Sequence, residues 1–154
     1  MNNIELRALR ELLFFSAPQA ALLVPSSPER LTGVQERTWR RWEDGTVSVP
    51  DNIAATMMKL CDWRERAREA MNSTLSAVGI ESVVLVWYEG MYDWASLPGR
   101  EPVLWRPQCS VVAEGAAMGA HLVKFDGVAY AKWLGKRKDS EWMRSAWARL
   151  QALL

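Results

Sequence analysis

Residues 38–45 read TWRRWEDG, and this stretch decides how the N-terminal half of the chain folds. In an α-helix each residue turns by about 100°, so Trp39 and Trp42 lie about 60° apart on one side. Gly45 suits the left-handed backbone position just past the C-terminus of a helix. The spacing therefore predicts a short amphipathic helix over residues 34–44 that packs by two indoles and ends before a glycine.

The opposite side of this predicted helix carries arginines. Arg37 and Arg41 form an i,i+4 pair there, and Arg40 lies on a flank. Two interpretations fit this pattern. The helix either packs by its tryptophans and leaves its arginines in solvent, or it is a recognition helix whose outer side donates hydrogen bonds to base edges and phosphates. The neighbouring segments have to decide between them.

The composition is that of a globular protein. At 154 residues the chain can bury a core, as one domain or as two small ones, and its apolar fraction of 49% is ordinary. No apolar run approaches the ~20 residues of a membrane span. The N-terminus has an early acidic residue and no small-residue cleavage site, which is unlike a signal peptide. We therefore expect a cytoplasmic protein that has no membrane partner.

Neither the net charge nor the aromatic content identifies the binding partner of this protein. The net charge is +1, so a DNA-binding protein of this composition has to concentrate its basic residues locally. The nine tryptophans are an unusual number, and they are spread along the chain. This distribution favours a role in the core and in a dimer interface over a role in one binding groove.

The residue types that usually carry catalysis are not grouped in this sequence. Cys61 and Cys109 lack metal-ligand or redox spacing, which favours reduced thiols that are buried as small hydrophobes. His121 is a lone histidine with no second ligand at useful spacing. There is no Ser/His/Asp set, no phosphate-binding glycine loop and no cluster of carboxylates. We therefore expect no metal, no cofactor and no enzymatic activity.

Hydrophobic periodicity and capping signals divide the N-terminal half into four helices. Residues 3–15 have helical apolar spacing, and Ser16 to Gln19 form a capping-box pattern with a proline in the first turn of a second helix. The segment VPSSPERLTG is a predicted loop with room for one helical turn. After the helix over residues 34–44, a long helix runs from about residue 50 to Val78.

The C-terminal half reads as a smaller α+β unit. Its predicted elements are strands at 81–90 and 121–125, a short helix at 91–97, a helix that begins after Pro107 within residues 103–118, and two closing helices separated by the basic linker KRKD. The cations of that linker, Lys136 to Lys138, are either solvated or in contact with nucleic acid.

Three quoted segments carry a resemblance to a known family. The start, MNNIELRALR, matches its pattern at Met1, Asn2, Glu5, Leu6, Ala8, Leu9 and Arg10. The centre, RTWRRWEDGTVSVPD, matches W-x-x-W-E-x-G followed by V/I-P-D at Trp39, Trp42, Glu43, Gly45, Val49, Pro50 and Asp51. WRPQCSVVAE is similar to W-R/K-x-x-x-S-V at Trp105, Arg106, Ser110 and Val111. The chain thus resembles the small YdiL-like helix-turn-helix proteins and their relatives, the anti-CRISPR-associated autoregulators of phages.

This resemblance covers roughly two-thirds of the chain. The link VPSSPERLTG is longer than the corresponding link of the relatives, and nothing matches after about Gly119.

The resemblance implies an architecture and a function. It implies a mostly α, α+β fold, with an N-terminal helix-turn-helix bundle in residues 1–78, including the long connecting helix, and a small dimerisation domain in residues 79–154. It implies a homodimeric repressor that is encoded by a prophage or mobile element and binds double-stranded DNA at an inverted repeat upstream of its own operon. Some relatives also bind the mRNA of their operon, so RNA is a second expected partner.

The resemblance also assigns roles to individual residues. Arg37 occupies the position of a base-contacting arginine, which can hold guanine O6 and N7 bidentately. Its alternative is a surface charge or an ion pair with Glu36 or Asp44. The other predicted DNA-contacting residues are Ser16, Gln19, Gln35, Glu36, Thr38, Arg40 and Arg41.

Several of these residues keep two interpretations. Gln35 and Arg41 are expected at bases or phosphates, with Gln35 towards the buried side of the helical wheel, and Arg40 is expected at a phosphate. Ser16 and Gln19 either bind a phosphate at a helix N-terminus or only cap that helix.

Three hypotheses about the whole protein remain open at this point. The first is the DNA-binding repressor. The second is a regulator whose main target is RNA, or both nucleic acids. The third is an antitoxin-like module in which the helix-turn-helix contacts a protein.

Overall fold

Helices make up most of the chain in the computed structural model, which describes residues 1–154. The elements are α1 (Asn3–Leu12), α2 (Ala17–Leu23), α3 (Glu36–Glu43), α4 (Asp51–Val78), β1 (Val84–Trp87), α5 (Met91–Ala95), α6 (Trp105–Ala117), β2 (His121–Lys124), α7 (Gly127–Leu134) and α8 (Glu141–Ala152). The prediction of a mostly α, α+β fold is confirmed. None of the helices has both the length and the apolar character that crossing a membrane requires.

The chain forms two compact units. Unit 1 contains residues 1–67 and 106–110, and unit 2 contains residues 68–105 and 111–154. The domain boundary after residue 78 stays a prediction.

The core of unit 1 lies among α1, α2, α3 and the start of α4. Its fully buried side chains include Leu6, Leu13, Trp39, Ile53 and Met57. These residues occupy the apolar positions of amphipathic helices or, for Leu13, the C-cap of α1.

Helix α1 is shorter than the predicted residues 3–15. It starts with a capping box between Asn2 and Glu5, and Leu13 is its C-cap. Phe14 then adopts a left-handed backbone with φ of 64°. The amides of Phe14 and Phe15 donate to the carbonyls of Glu11 and Arg10, as in a Schellman motif. Glycine usually occupies this position, so the sequence carried no signal that the helix ends here.

The capping box predicted for α2 is confirmed. Ser16 Oγ accepts a hydrogen bond from the Gln19 amide at 3.2 Å, and Gln19 Oε1 accepts one from the Ser16 amide at 3.0 Å. Both side chains therefore satisfy backbone donors at the start of the helix.

The link between α2 and α3 contains no helical turn and is closed by its own hydrogen bonds. The Ser26 amide donates to the carbonyl of Thr32 at 3.0 Å, and the Val34 amide donates to the carbonyl of Ala21 at 2.7 Å. Asn52 of α4 donates from Nδ2 to the carbonyl of Ser26 at 2.5 Å. Through these hydrogen bonds the link is attached to α2 and to α4. The position at which α3 begins is therefore held by contacts with both helices.

Gly33 is required for this closure. A Cβ atom at this residue would lie 1.8 Å from the carbonyl oxygen of Ala21 and 2.5 Å from that of Leu22. Both atoms belong to the backbone of α2, so they cannot move aside as a flexible side chain could.

Unit 2 contains a parallel two-stranded sheet. Val84 pairs with His121 and Trp87 pairs with Lys124 at the two ends of the register. The prediction of two strands is correct, although β1 is shorter than residues 81–90 because Ile80–Ser82 form a 3₁₀ turn. Helices α5 and α6 make the connection between the strands, as a parallel pair requires.

An aromatic cluster forms the core of unit 2, and Phe125 lies at its centre. The Phe125 ring lies 5.0 Å from Tyr88, 5.4 Å from Tyr130 and 5.7 Å from Trp147, measured between centroids. Trp94 packs edge-on against Tyr88 at 5.4 Å. Buried aromatic pairs in tilted and edge-on arrangements stabilise a core beyond their burial alone.

Beside this cluster lies a buried charged network. Arg144 is 5% exposed and donates to Asp139 from Nε at 3.0 Å and from Nη2 at 2.5 Å. The Tyr130 hydroxyl donates to Asp139 Oδ1 at 2.5 Å. The hydrogen bond from Arg144 lowers the pKa of Asp139, whereas burial and the Asp139 carboxylate raise the pKa of Tyr130.

The tryptophans and cysteines follow the predictions in part. Five of the nine tryptophans are buried, namely Trp39, Trp42, Trp94, Trp105 and Trp147. Cys109 is buried, as expected, but Cys61 is only half-buried, so the prediction that both are buried is wrong for Cys61. Burial raises the pKa of both thiols.

The Gly33 contact gives a stability prediction. Gly33→Ala should lower the free energy of unfolding by about 1–3 kcal/mol, because the link has to move away from α2. Gly127→Ala is the control, since the added Cβ would lie 3.6 Å from the Phe125 ring, an ordinary contact. Thermal melts of both variants test this. Equal melting temperatures would show that the link does not need the close approach.

The Asp139 network gives a pH prediction. Because the folded-state pKa of Asp139 lies below its unfolded value, the carboxylate stabilises the fold at neutral pH, and this contribution is lost as the pH falls through the folded pKa. Asp139→Asn should therefore melt earlier than the parent at pH 7, and the gap should shrink below about pH 4. Asp62→Asn, at an exposed site on α4, is the control. A gap that does not change with pH would contradict this role.

Candidate nucleic-acid interface

The inner side of α3 is held by two indoles. Trp39 is 0% exposed and Trp42 is 6% exposed. Their rings meet edge-on, with centroids 5.6 Å apart and planes at 62°. The prediction that the tryptophans anchor this helix to the core of unit 1 is confirmed.

Glu43 joins this anchor to α1. Its carboxylate accepts from Arg10 Nε at 2.5 Å and Arg10 Nη2 at 3.3 Å, and from Trp39 Nε1 at 3.1 Å. The Arg10 and Glu43 side chains are only 12% and 10% exposed. Glu43 therefore satisfies donors from both α1 and α3 within unit 1. Removal of either charge would leave its partner buried without compensation, which typically costs about 3–5 kcal/mol.

The outer side of α3 presents Arg37 and Arg41 to solvent. Both residues are exposed, and Arg37 has no hydrogen bond or ion pair within the chain. The alternative in which Arg37 pairs with Glu36 or Asp44 is therefore not found. Hydrogen bonds from Thr46, with a smaller effect from the charge of Arg41, lower the pKa of Asp44 at the end of the helix.

Arg40 and Glu36 form an ion pair on the same exposed surface. Arg40 Nε donates to Glu36 Oε1 at 2.7 Å, and both side chains are largely exposed. Exposed pairs of this kind contribute little net free energy. The guanidinium of Arg40 can therefore leave Glu36 for a stronger anion at small cost.

The remaining predicted residues lie at or near the start of α2 and α3. Gln35 is exposed, because it precedes the helix in an extended conformation, so its placement towards the buried side of the wheel is wrong. Thr38 is half-buried. Ser16 and Gln19 form the capping box, which confirms their capping role, and α2 packs directly against α3. The predicted surface is thus brought together on two adjacent helices of one unit.

Two residues that position this surface received no role from the sequence. Arg10 belongs to the N-terminal motif and Gly33 to the predicted loop VPSSPERLTG, and neither pattern predicts a positioning role. The sequence does contain a hint about Arg10. Arg10 and Glu43 lie in two different motifs, and each is a charged residue on a largely apolar side of its helix. The contact of Gly33 with α2 depends on a backbone path that no local pattern records.

The exposed donors of this surface suit an anionic ligand with flat acceptor edges. Guanidinium groups donate in a fixed planar fork that matches phosphate and guanine acceptors. No group of three or more His, Cys, Asp or Glu residues could hold a metal ion, and His121 is exposed. The surface offers hydrogen-bond donors and positive charge.

Two comparisons with known proteins identify the family of this chain. A family model described as Aca2/YdiL-like matches residues 1–123. The chain is also similar to a protein named Aca2 repressor, from Pectobacterium phage ZF40, at 32% identity over 114 residues. That alignment covers 73% of this chain and 90% of the phage protein. Because the family model matches four-fifths of its length, the chain belongs to the Aca2/YdiL-like family.

Proposed function

We propose that this protein is a cytoplasmic transcriptional repressor that binds an inverted DNA repeat as a homodimer, upstream of its own operon. The observation that carries the proposal is the division of α3 into an inner side buried by Trp39 and Trp42 and an outer side with the exposed guanidinium groups of Arg37 and Arg41. The name of the phage ZF40 relative, Aca2 repressor, supports the same function.

A fixed helix is what base recognition requires. Hydrogen bonds to base edges discriminate only when the donors are held close to their productive geometry. The ion pair between Arg10 and Glu43 and the buried ring of Trp39 restrict rotation of α3 about its axis. The direction in which Arg37 and Arg41 project therefore follows from the packing beneath them.

The proposed contacts are of two kinds, namely hydrogen bonds to base edges and contacts with phosphates. Arg37 holds a guanine through O6 and N7, whereas Arg41 and Gln35 reach bases or the adjacent backbone. Arg40 exchanges its Glu36 partner for a phosphate, and Glu36 then limits which bases fit beside it. Ser16, Gln19 and Thr38 contact phosphates near the helix N-termini, where backbone amides favour anions.

The dimer is proposed to form through residues 79–154. Unit 2 leaves several apolar side chains in solvent beyond its aromatic core, including Leu122, Val128, Trp142 and Leu150. Burial of such side chains between two copies is favourable, and a two-fold dimer matches a palindromic site.

Binding assays test the proposed function. Gel shifts should compare the DNA just upstream of the gene, unrelated DNA of equal length and the RNA leader of the transcript. The proposal expects preference for the upstream DNA. Preference for the leader would make RNA the principal target. Binding to neither, together with a stable hetero-complex in pull-downs, would support a protein-contact module.

Arg37→Ala tests base recognition. Loss of a bidentate guanine contact should weaken binding to the upstream DNA by roughly 1–3 kcal/mol per half-site and relax preference at one base pair. The melting temperature should hardly change, because the side chain is exposed and unpaired. Arg66→Ala, which removes an exposed arginine from α4, is the matched control. Unchanged affinity of Arg37→Ala would remove Arg37 from the interface.

Trp39→Ala tests whether the inner side of α3 acts only through the fold. The variant should lose about 3–5 kcal/mol of stability, because a fully buried indole is replaced by a cavity. It should bind DNA poorly as a consequence, and it should melt at a lower temperature than the parent. Poor binding with a normal melting temperature would instead show that the indole contacts the ligand, as in recognition of single-stranded RNA.

The dimer has its own test. Light scattering at tens of micromolar protein should give twice the mass of one chain. The half-sites bound should then lie about one DNA turn apart, on the order of 34 Å. A monomeric mass at that concentration would contradict the proposed assembly.

A further inference from the structure

Positive charge is concentrated in the part of the chain beyond the family match. Residues 124–154 contain seven Lys or Arg and three Asp or Glu, a net charge of +4. The whole chain has a net charge of +1, so residues 1–123 have a net charge of −3. This is the reverse of what is expected if the family-matched part alone attracted a polyanion.

Within this segment, four exposed cations without an ion pair lie close together in sequence, and a fifth, Arg149, lies apart from them on α8. Lys132, Lys136, Arg137 and Lys138 are all exposed, and none of them forms an ion pair. We call these four residues the basic run. The other two cations near it are neutralised, because Lys124 pairs with Glu89 and Arg144 with Asp139.

The linear sequence conceals this charge, because KRKDSE places two acids directly after three cations. In the structure those acids serve unit 2 internally. Asp139 accepts from Arg144 and from the Tyr130 hydroxyl, and its side chain is 13% exposed. Glu141 pairs with Arg144 at 3.3 Å and with Arg100. The two acids therefore neutralise buried or half-buried arginines and leave the basic run uncompensated.

The third acid of this segment is also engaged, and it lies at the far end of α7. Asp126 accepts from the amides of Val128 and Ala129 at 3.0 and 2.9 Å as the N-cap. The eight residues of α7 separate Asp126 from Lys136, Arg137 and Lys138 by about 12 Å of helix. That distance exceeds the screening length of about 8 Å at physiological ionic strength.

The backbone that carries the basic run is ordered by Arg137. Its guanidinium stacks on the Trp133 ring at 4.1 Å from the centroid and donates from Nε to the carbonyl of Leu134 at 3.0 Å. A second donor reaches the carbonyl of Trp133. Gly135, with φ of 58°, turns the chain at the end of α7. The neighbouring lysines thus project from a fixed turn, which lowers the entropic cost of holding a ligand.

We propose that the basic run, Lys132 with Lys136 to Lys138, is a second nucleic-acid-binding surface of this protein that holds the phosphodiester backbone. Its ligand class is the polyphosphate backbone of the nucleic acid that α3 binds, and it reads no base. This inference rests on the proposed function, because it assigns unit 2 a direct share of the affinity. Lysine suits this role, since it acts as a point charge on a flexible stem without a fixed donor geometry.

The experiment uses the full-length double variant Lys136→Gln/Lys138→Gln, which leaves Arg137 and its stacking intact. The matched control is Lys59→Gln/Arg66→Gln, which removes two exposed cations from α4 and so changes the net charge equally. A second control, Lys136→Arg/Lys138→Arg, keeps the charge. For each protein, the logarithm of affinity is measured against the logarithm of salt concentration, with upstream duplex DNA and with leader RNA.

The expected result is a shallower salt dependence in the Lys-to-Gln variant alone. Each lost phosphate contact reduces the slope by about 0.9 on duplex DNA and about 0.7 on single strands, so two lysines remove about 1.8 units per protomer on DNA and about 1.4 on single-stranded RNA. The affinity at physiological salt should fall on the order of tenfold, with an unchanged melting temperature. The arm that shows the change, DNA or RNA, identifies the source of the phosphates.

Two outcomes overturn the inference. Unchanged slopes with both ligands would show that the basic run is only solvated, while the proposed function of α3 would stand. An equal fall in the Lys59→Gln/Arg66→Gln control would show that net charge alone produces the effect. Absence of any binding by the parent protein would instead overturn the proposed function, which distinguishes the two failures.

Discussion

The hydrogen-bonded ion pair between Arg10 and Glu43 is the interaction on which the candidate interface depends. A buried ion pair does not by itself make a protein stable, because desolvation of the charges offsets much of their attraction. Here the Glu43 carboxylate also accepts the indole N–H of Trp39, so one group satisfies two buried donors on different helices. The Trp39 contact lies within α3, whereas the Arg10 contact joins α3 to α1. Rotation of α3 would break the contact with Arg10 and leave a charge without its partner. The rotational setting of the helix, and hence the direction of Arg37 and Arg41, is fixed by this arrangement.

The partners of the acidic residues also determine where positive charge is left on the surface. Where an acid is committed to a buried arginine, as Asp139 is to Arg144, it no longer neutralises the cations beside it in sequence. Where an acid stays exposed beside an arginine, as Glu36 does beside Arg40, the pair can exchange. A net charge of +1 is therefore compatible with strongly positive local surfaces. The burial of each acid's partner decides which cations remain available to a polyanion.

The chain differs from the family pattern in two places, and the structure gives each a physical consequence. The long link before α3 forms its own hydrogen bonds and approaches α2 closely at Gly33, so its length does not loosen the helix. The segment beyond residue 123, where the family match ends, forms α7 and α8. Helix α8 packs against β1, and Tyr130 and Trp147 complete the aromatic cluster around Phe125. This segment is therefore an integral part of unit 2.

The sequence by itself determined the features that depend on residues close in the chain. The spacing of Trp39 and Trp42 located the buried side of α3, and the Ser16–Gln19 pattern located the start of α2, because periodicity and capping act over three or four residues. The family resemblance supplied the predicted roles of the arginines. Only the tertiary structure decided the end of α1 at Phe14, whose carbonyl accepts from Arg106 Nε at 2.7 Å, and the parallel pairing of β1 with β2. These features depend on contacts between residues far apart in sequence, and no local pattern encodes which distant partner a backbone group will meet.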